Sequence, residues 1–196
     1  MIANYRMRRA LLLALVLILA GIGTTTASET LLIDDFSNAT SPLGTQWQGF
    51  SDRVMGGISD IQAGYVREGE GNAIRMVGSV SLENNGGFIQ VRLPLASRGS
   101  LDASDYTGIA VEVKGAPGYY YLHVRTADSR SVRQYYEARV DVDTQWQRVE
   151  IPFAAFERAT VMPALNAERL TSVALVGGKQ EFDADVTIRK IEFYRD

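Results

Sequence analysis

Ile74-Arg75-Met76-Val77-Gly78-Ser79-Val80-Ser81-Leu82 runs into Glu83-Asn84-Asn85-Gly86-Gly87 and out again as Phe88-Ile89-Gln90-Val91-Arg92-Leu93. On the way in, Ile74, Met76, Gly78, Val80 and Leu82 keep a period of two, with Arg75, Ser79 and Ser81 on the other side. On the way out, Ile89, Val91 and Leu93 point inward and Phe88, Gln90 and Arg92 outward. That period belongs to a half-buried strand. The Asn and Gly residues between the runs supply the positive φ that hairpin turns need, so a hairpin loop is expected there.

The same alternation extends in both directions. Upstream, strands are expected at Leu31–Phe36, Gln46–Phe50 and Ser59–Val66, where Ile61, Ala63 and Tyr65 alternate with polar or small residues. Trp47 and Phe50 are expected in the core, where large aromatic side chains dominate the packing energy. Downstream, strands are expected at Gly108–Lys114, Tyr119–Ala127, Tyr135–Val142, Trp146–Pro152, Thr171–Val176 and Val186–Tyr194. In the last of these the apolar set shifts from Val186 and Ile188 to Ile191 and Phe193, which predicts a bulge. Asn166 is placed to cap a short helical turn. The result is an all-β domain of about ten short antiparallel strands with little helix, a sandwich or jelly roll.

Between two of these strands lies Ser51-Asp52-Arg53-Val54-Met55-Gly56-Gly57-Ile58-Ser59. Two readings stand for it. One is a strained turn with Asp52 bonded to nearby backbone. The other is a ligand or partner loop, in which the successive N–H groups of the glycine pair form an anion-binding nest.

The order of Trp47, then Asp52-Arg53-Val54-Met55-Gly56-Gly57-Ile58-Ser59, then Gly78-Ser79-Val80-Ser81, then Asn85-Gly86-Gly87-Phe88 resembles the complex I intermediate-associated protein 30 family. The resemblance runs from about Leu32 to Tyr194 and implies a galactose-binding-like jelly roll, similar to carbohydrate-binding modules. It makes Trp47, Asp52, Arg53, Met55, Gly56, Gly57, Ser59, Gly78, Asn85, Gly86, Gly87 and Phe88 the motif residues. The family pattern also implies a Gly-x-Phe before the last strand. Here Gly177-Gly178-Lys179-Gln180 is followed by Glu181-Phe182-Asp183-Ala184-Asp185, so the last hairpin departs from it.

Composition narrows the function. Hydrophobic residues make up 46% and charged residues 22% of 196, which is ordinary for a single globular domain. Three of the 20 basic residues (Arg6, Arg8 and Arg9) precede residue 28 and none of the 23 acids does. That leaves 17 against 23, a formal charge of −6 over residues 28–196. Such a chain is a poor nucleic-acid binder, because that affinity comes largely from neutralising phosphates. With no cysteine there are no disulfides, thiol nucleophiles or cysteine metal sites. Arg6, Arg8 and Arg9 precede an apolar run of 13 residues, Ala10–Ile22, and then Thr24-Thr25-Thr26-Ala27. This pattern predicts a secretory signal peptide over residues 1–27, cut after Ala27. The run is shorter than the ~20 residues of a spanning helix, so no stable membrane anchor is expected after cleavage. Export to the periplasm or beyond a bacterial cell is expected, with residues 28–196 as the domain.

The chemistry-bearing residues gather on two strands. Tyr120, Leu122 and Val124 share one face, and Tyr119, Tyr121, His123 and Arg125 the other. On the next strand Tyr136, Ala138, Val140 and Val142 face inward, while Tyr135, Glu137 and Arg139 face outward. Paired as a hairpin, these strands carry Tyr121, His123, Arg125, Tyr135, Glu137 and Arg139 on one sheet face. Those types suit a sugar, with rings against its apolar faces and polar heads on its hydroxyls. The alternative is a solvated face laced with Glu–Arg pairs. His123 has no serine motif such as G-x-S-x-G near it, and no catalytic residue or cofactor is expected. Asp34-Asp35 and the Asp183/Asp185 pair offer oxygen ligands for calcium, or are turn and surface acids. Two functions follow: a non-catalytic assembly or interaction factor with a protein partner, as the resemblance implies, or a periplasmic glycan-binding module.

Overall fold

The alternation becomes burial wherever a strand forms. The computed structural model describes residues 30–196, and the expected signal peptide lies outside the described residues. Among those described are twelve strands: β1 (Leu31–Asp34), β2 (Gln48–Ser51), β3 (Gln62–Glu68), β4 (Gly71–Val80), β5 (Phe88–Pro94), β6 (Gly108–Gly115), β7 (Gly118–Thr126), β8 (Tyr136–Val142), β9 (Gln147–Pro152), β10 (Glu157–Arg158), β11 (Leu170–Gly178) and β12 (Phe182–Tyr194). Among the described residues helix is limited to four short 3-10 turns, one of them capped by the Asn166 side chain on the Glu168 N–H. The count exceeds the expected ten partly because β10 is only two residues long.

The strands form two antiparallel sheets. The first has the order β3-β4-β12-β6-β9, and β1 joins β12 beyond the end of β4; the second has the order β10-β8-β7-β11-β5-β2. The core lies between them. Ile74, Met76, Val111, Val113, Val186 and Ile191 face in from one side, and Ile89, Val91, Leu122, Val124, Val140 and Val173 from the other, all buried. Tyr120 lies fully buried in this layer with Phe182 edge-on to it, and its hydroxyl accepts the Asp185 N–H. The predicted bulge falls at Arg189: the pairing of β12 with β6 shifts between Ile188 and Lys190, which brings Ile188 and Ile191 to the same core.

The expected Glu83–Gly87 hairpin is not one. β4 belongs to the first sheet and β5 to the second, so the loop crosses the edge of the sandwich. The last connection is likewise a crossover, from β11 in the second sheet to β12 in the first. Alternation reports which side chains are buried. It does not report the partner strand, because both sheets bury their inward faces in one core. β7 and β8 do pair as expected, with Tyr121 opposite Arg139 and His123 opposite Glu137. Tyr65, read as part of an alternating strand, is exposed on edge strand β3 and donates its hydroxyl to the Ala39 carbonyl.

Candidate functional site

Asp52 ties the β2–β3 loop, which also crosses from the second sheet to the first, to the Glu83–Gly87 crossover. It opens a 3-10 turn, Asp52–Met55, and is fully buried. Its carboxylate accepts the Ser59 N–H at 3.0 Å and the Ser59 hydroxyl within its own loop. From the other loop it accepts the Gly87 N–H at 2.6 Å and the Phe88 N–H at 3.3 Å. Burial alone would raise this carboxyl. The Ser59 hydroxyl and the three backbone N–H groups outweigh that effect and hold it below its ordinary value. A Cβ on Gly57 would sit 2.4 Å from the Asp52 carboxyl carbon, and one on Gly86 2.5 Å from its Oδ2. At Gly78 it would sit 1.9 Å from the Asp60 carbonyl oxygen. These motif glycines are required by close approach.

The local reading of Asp52 is therefore correct as far as it goes, and the carboxylate also reaches the second loop. The expected nest at Gly56 and Gly57 is corrected: their N–H groups are spent on the Arg53 and Asp52 carbonyls. The anion held by backbone N–H groups is the protein's own Asp52, and the groups that hold it lie mainly on the second loop.

These loops form one wall of a cleft of about 530 Å³ over the outer face of the second sheet. Small residues of β11 (Ser172, Ala174, Val176 and Gly178) form its floor. Phe88, Gln90 and Arg92 of β5 rise on one side, with Phe50 of β2 beyond them. Tyr121, His123 and Arg125 of β7 rise on the other, with Tyr135 stacked on His123 at 4.1 Å between ring centres. Val54, Met55 and Leu82 line it from the motif loops and Val132 from the β7–β8 loop, all four with about half or more of their surface exposed.

Polar groups in and below the cleft are incompletely paired. His123 Nε2 lies 3.6 Å from Glu137 Oε2, outside hydrogen-bond reach, and both atoms are buried without a partner. Burial pushes His123 below its ordinary pKa against the pull of Glu137, so the ring is neutral at pH 7. Glu137 is held below the usual carboxylate range by the adjacent imidazole and by Lys179, whose Nζ bonds it at 2.6 Å. Lys179 also lies over the Tyr121 ring at 4.6 Å. Arg125 bonds the backbone carbonyls of Ser129, Ser131 and Val132, which fixes the β7–β8 loop.

Of the residues expected on the ligand face, the structure brings Tyr121, His123, Arg125 and Tyr135 into the cleft lining. Glu137 lies next to it, beneath Lys179. Arg139 stands outside, paired with Asp141 and stacked over Tyr119. Of the motif residues, Met55, Asn85, Gly86, Gly87 and Phe88 line the cleft. Asp52, Gly56, Gly57 and Ser59 build its wall from behind, where Arg53 fastens to the Ser59 carbonyl. Trp47 is elsewhere, packed on Phe36 with its Nε1–H donated to Asp34. Phe50, expected in the core, instead faces the cleft under the Arg92 guanidinium, 4.9 Å from its ring centre. Sequence reasoning missed Arg92 and Lys179 as site residues, although the outward alternation of Phe88, Gln90 and Arg92 was visible. The acids considered for calcium are engaged: Asp34 by the Phe36 N–H and Trp47, Asp35 by the Ser37 N–H, Asp183 by Ser79, Asp185 by Arg75.

Comparison with protein families matches residues 35–188 to the model for complex I intermediate-associated protein 30. A search of curated proteins found no match. Among solved structures, the family 11 carbohydrate-binding module of a cellulosomal cellulase of Clostridium thermocellum is similar at 15% identity, with a TM-score of 0.69, covering 87% of this chain and 97% of its own. The same module in complex with a β-1,3-1,4-mixed-linked tetrasaccharide is similar at 16% identity and 0.69, covering 87% and 98%. A family 30 carbohydrate-binding module from Clostridium thermocellum follows at 15% and 0.59, covering 86% and 98%. At these identities the likeness is one of fold.

Proposed function

Because the chain belongs to the complex I intermediate-associated protein 30 family, whose fold here carries an open cleft, we propose that it is an exported, non-catalytic protein that binds a stretch of glycan across its second sheet. The observation that carries this is the lining of the cleft. Tyr121, Phe50, Phe88 and the Tyr135–His123 stack offer ring surface, and Gln90, Arg92 and Arg125 offer hydrogen-bonding groups beside it. Rings that bury apolar sugar faces next to donors for hydroxyls are the chemistry of sugar recognition. A similar fold binding a mixed-linked tetrasaccharide adds support. The groups present suit holding a ligand. Glycoside hydrolysis needs two carboxyls flanking the bond; no described Asp or Glu lines the cleft, and Glu137 beside it is engaged by Lys179.

The basic residues, apolar run and small residues of positions 6–27 support export, and an exported chain cannot act on the matrix or cytoplasmic side of a respiratory complex. A second reading, a protein segment as occupant, is favoured by exposed Val54, Met55 and Leu82 at the rim. Titration calorimetry of the purified protein against neutral and acidic oligosaccharides separates the two. Binding of at least one, weakened roughly 10–100-fold by Tyr121→Ala through ~1–3 kcal/mol of lost contact, supports the glycan. No binding to any sugar, together with a stoichiometric protein copurifying from cells, supports the second reading.

A further inference from the structure

We propose that the cleft selects an acidic glycan, whose sugar carboxylate lies between Arg92 and Arg125; the proposal rests on the glycan reading above. The two arginines stand on β5 and β7, on either side of β11. Arg92 is opposite Ala174 and Arg125 is opposite Ser172. Strands two apart in a sheet are separated by ~9.6 Å, and at these positions β11 presents only the short side chains of Ala174 and Ser172 between them.

Neither arginine has a carboxylate partner among the described residues. Arg125 bonds only backbone carbonyls. Arg92 rests on the Phe50 ring, and its Nε is buried without a hydrogen-bond partner. Arg133 and Lys179 are also in the lining, to which no described Asp or Glu contributes; of the four cations, Lys179 is paired with Glu137 beside the cleft. Burial, and then the charge of Arg92, push Arg125 below its ordinary value.

The outer face of the first sheet shows what this chain does with cations elsewhere. There Arg75 pairs with Asp185 at 2.6 Å, Lys114 with Glu68 at 2.7 Å, Arg189 with Glu112 at 2.6 Å and Lys190 with Glu192 at 2.7 Å. A chain with 23 acids, pairing cations so freely on one face, leaves these two in its cleft without an acidic partner. Half-buried like charges disfavour one another and are relieved by a bound anion. A guanidinium fork matches a carboxylate in its plane, and a uronic acid carries that group on a ring whose faces suit Phe50 and Tyr121.

The test is calorimetry on the purified protein with tetragalacturonate, tetramannuronate and the neutral tetrasaccharides made by reducing their carboxyl groups. We expect at least one uronate to bind tenfold or more tighter than its reduced counterpart, with the gap shrinking as salt rises. Arg92→Gln, checked for an unchanged melting temperature, should abolish the gap, and Arg92→Lys should restore part of it. Equal affinity for acidic and reduced sugars, or binding of neutral sugars only, overturns the proposal and leaves the glycan reading standing. A gap that survives Arg92→Gln also overturns it. Absence of binding to every sugar overturns both.

Discussion

Replacing Asp52 with Ala removes one carboxylate and leaves donors from two loops without an acceptor. Ser59 N–H and Gly87 N–H, bonded at 3.0 and 2.6 Å, lose charged partners; Phe88 N–H at 3.3 Å loses a weaker one. The Ser59 hydroxyl keeps its contact with Ser81. At about 1.5–3 kcal/mol for each bond to a charged group, the two short ones sum to about 3–6 kcal/mol. For a chain of this size, each kcal/mol lowers the melting temperature by about 2–4 °C, so a drop of roughly 6–24 °C is expected by calorimetry at pH 7. Asp52→Asn keeps one acceptor oxygen and should lose about half as much. The pH dependence has a definite sign. The folded carboxyl is held below its ordinary value, so its stabilisation is present above pH ~3.8 and is lost as pH falls through the folded value. The gap between the parent protein and Asp52→Asn should therefore close in acid. A parent and Asp52→Ala melting within ~2 °C of each other at pH 7 would refute the role of Asp52 as the tie between loops.

Three further outcomes are expected. Gly57→Val drives a side chain into the Asp52 carboxyl and should cost at least ~2 kcal/mol of stability by urea unfolding; unchanged stability with lost ligand binding would make the glycine a binding residue instead. Burial lowers the folded pKa of His123 below 6.5, so the unfolded chain binds a proton first and stability should decline as pH falls below ~6.5. His123→Phe, which keeps a ring against Tyr135, should flatten the melting-temperature profile between pH 7 and 5; an unaltered slope counts against a buried neutral imidazole. Arg125→Gln should release the Ser129–Val132 carbonyls and speed hydrogen exchange across that loop while β7 and β8 stay protected; unaltered exchange there would show that other contacts hold the loop.

Much of the fold was legible because strand alternation is a local signal. It put Tyr120, Leu122 and Val124 inside and Tyr121, His123 and Arg125 outside, and the phase shift after Ile188 marked the bulge at Arg189. Pairing was illegible where it is distant. Glu83–Gly87 looks like any hairpin turn, and only the partners of β4 and β5, β12 and β11, show that the chain changes sheets there. The same limit hid half of the site. The outward position of Arg92 could be read from β5 alone. Its meeting with Arg125 could not, because the strand that brings them together, β11, comes much later in the chain. Phe50 was misassigned to the core because an aromatic residue in an alternating strand carries no mark of which sheet face it occupies.

The position of the last two strands governs how this protein can be made. β11 lies between β5 and β7 in the second sheet, and β12 between β4 and β6 in the first. Until the ribosome has released residues 170–194, both sheets lack their middle, and five strands, β1 and β4 to β7, present bare hydrogen-bonding edges to any neighbour. Folding must then wait for residues 170–194 and proceed through distant contacts, which makes it slow and leaves the unfinished domain open to aggregation. A stop codon or protease cut before Leu170 does more than trim an end: it removes the floor of the cleft and divides each sheet in two.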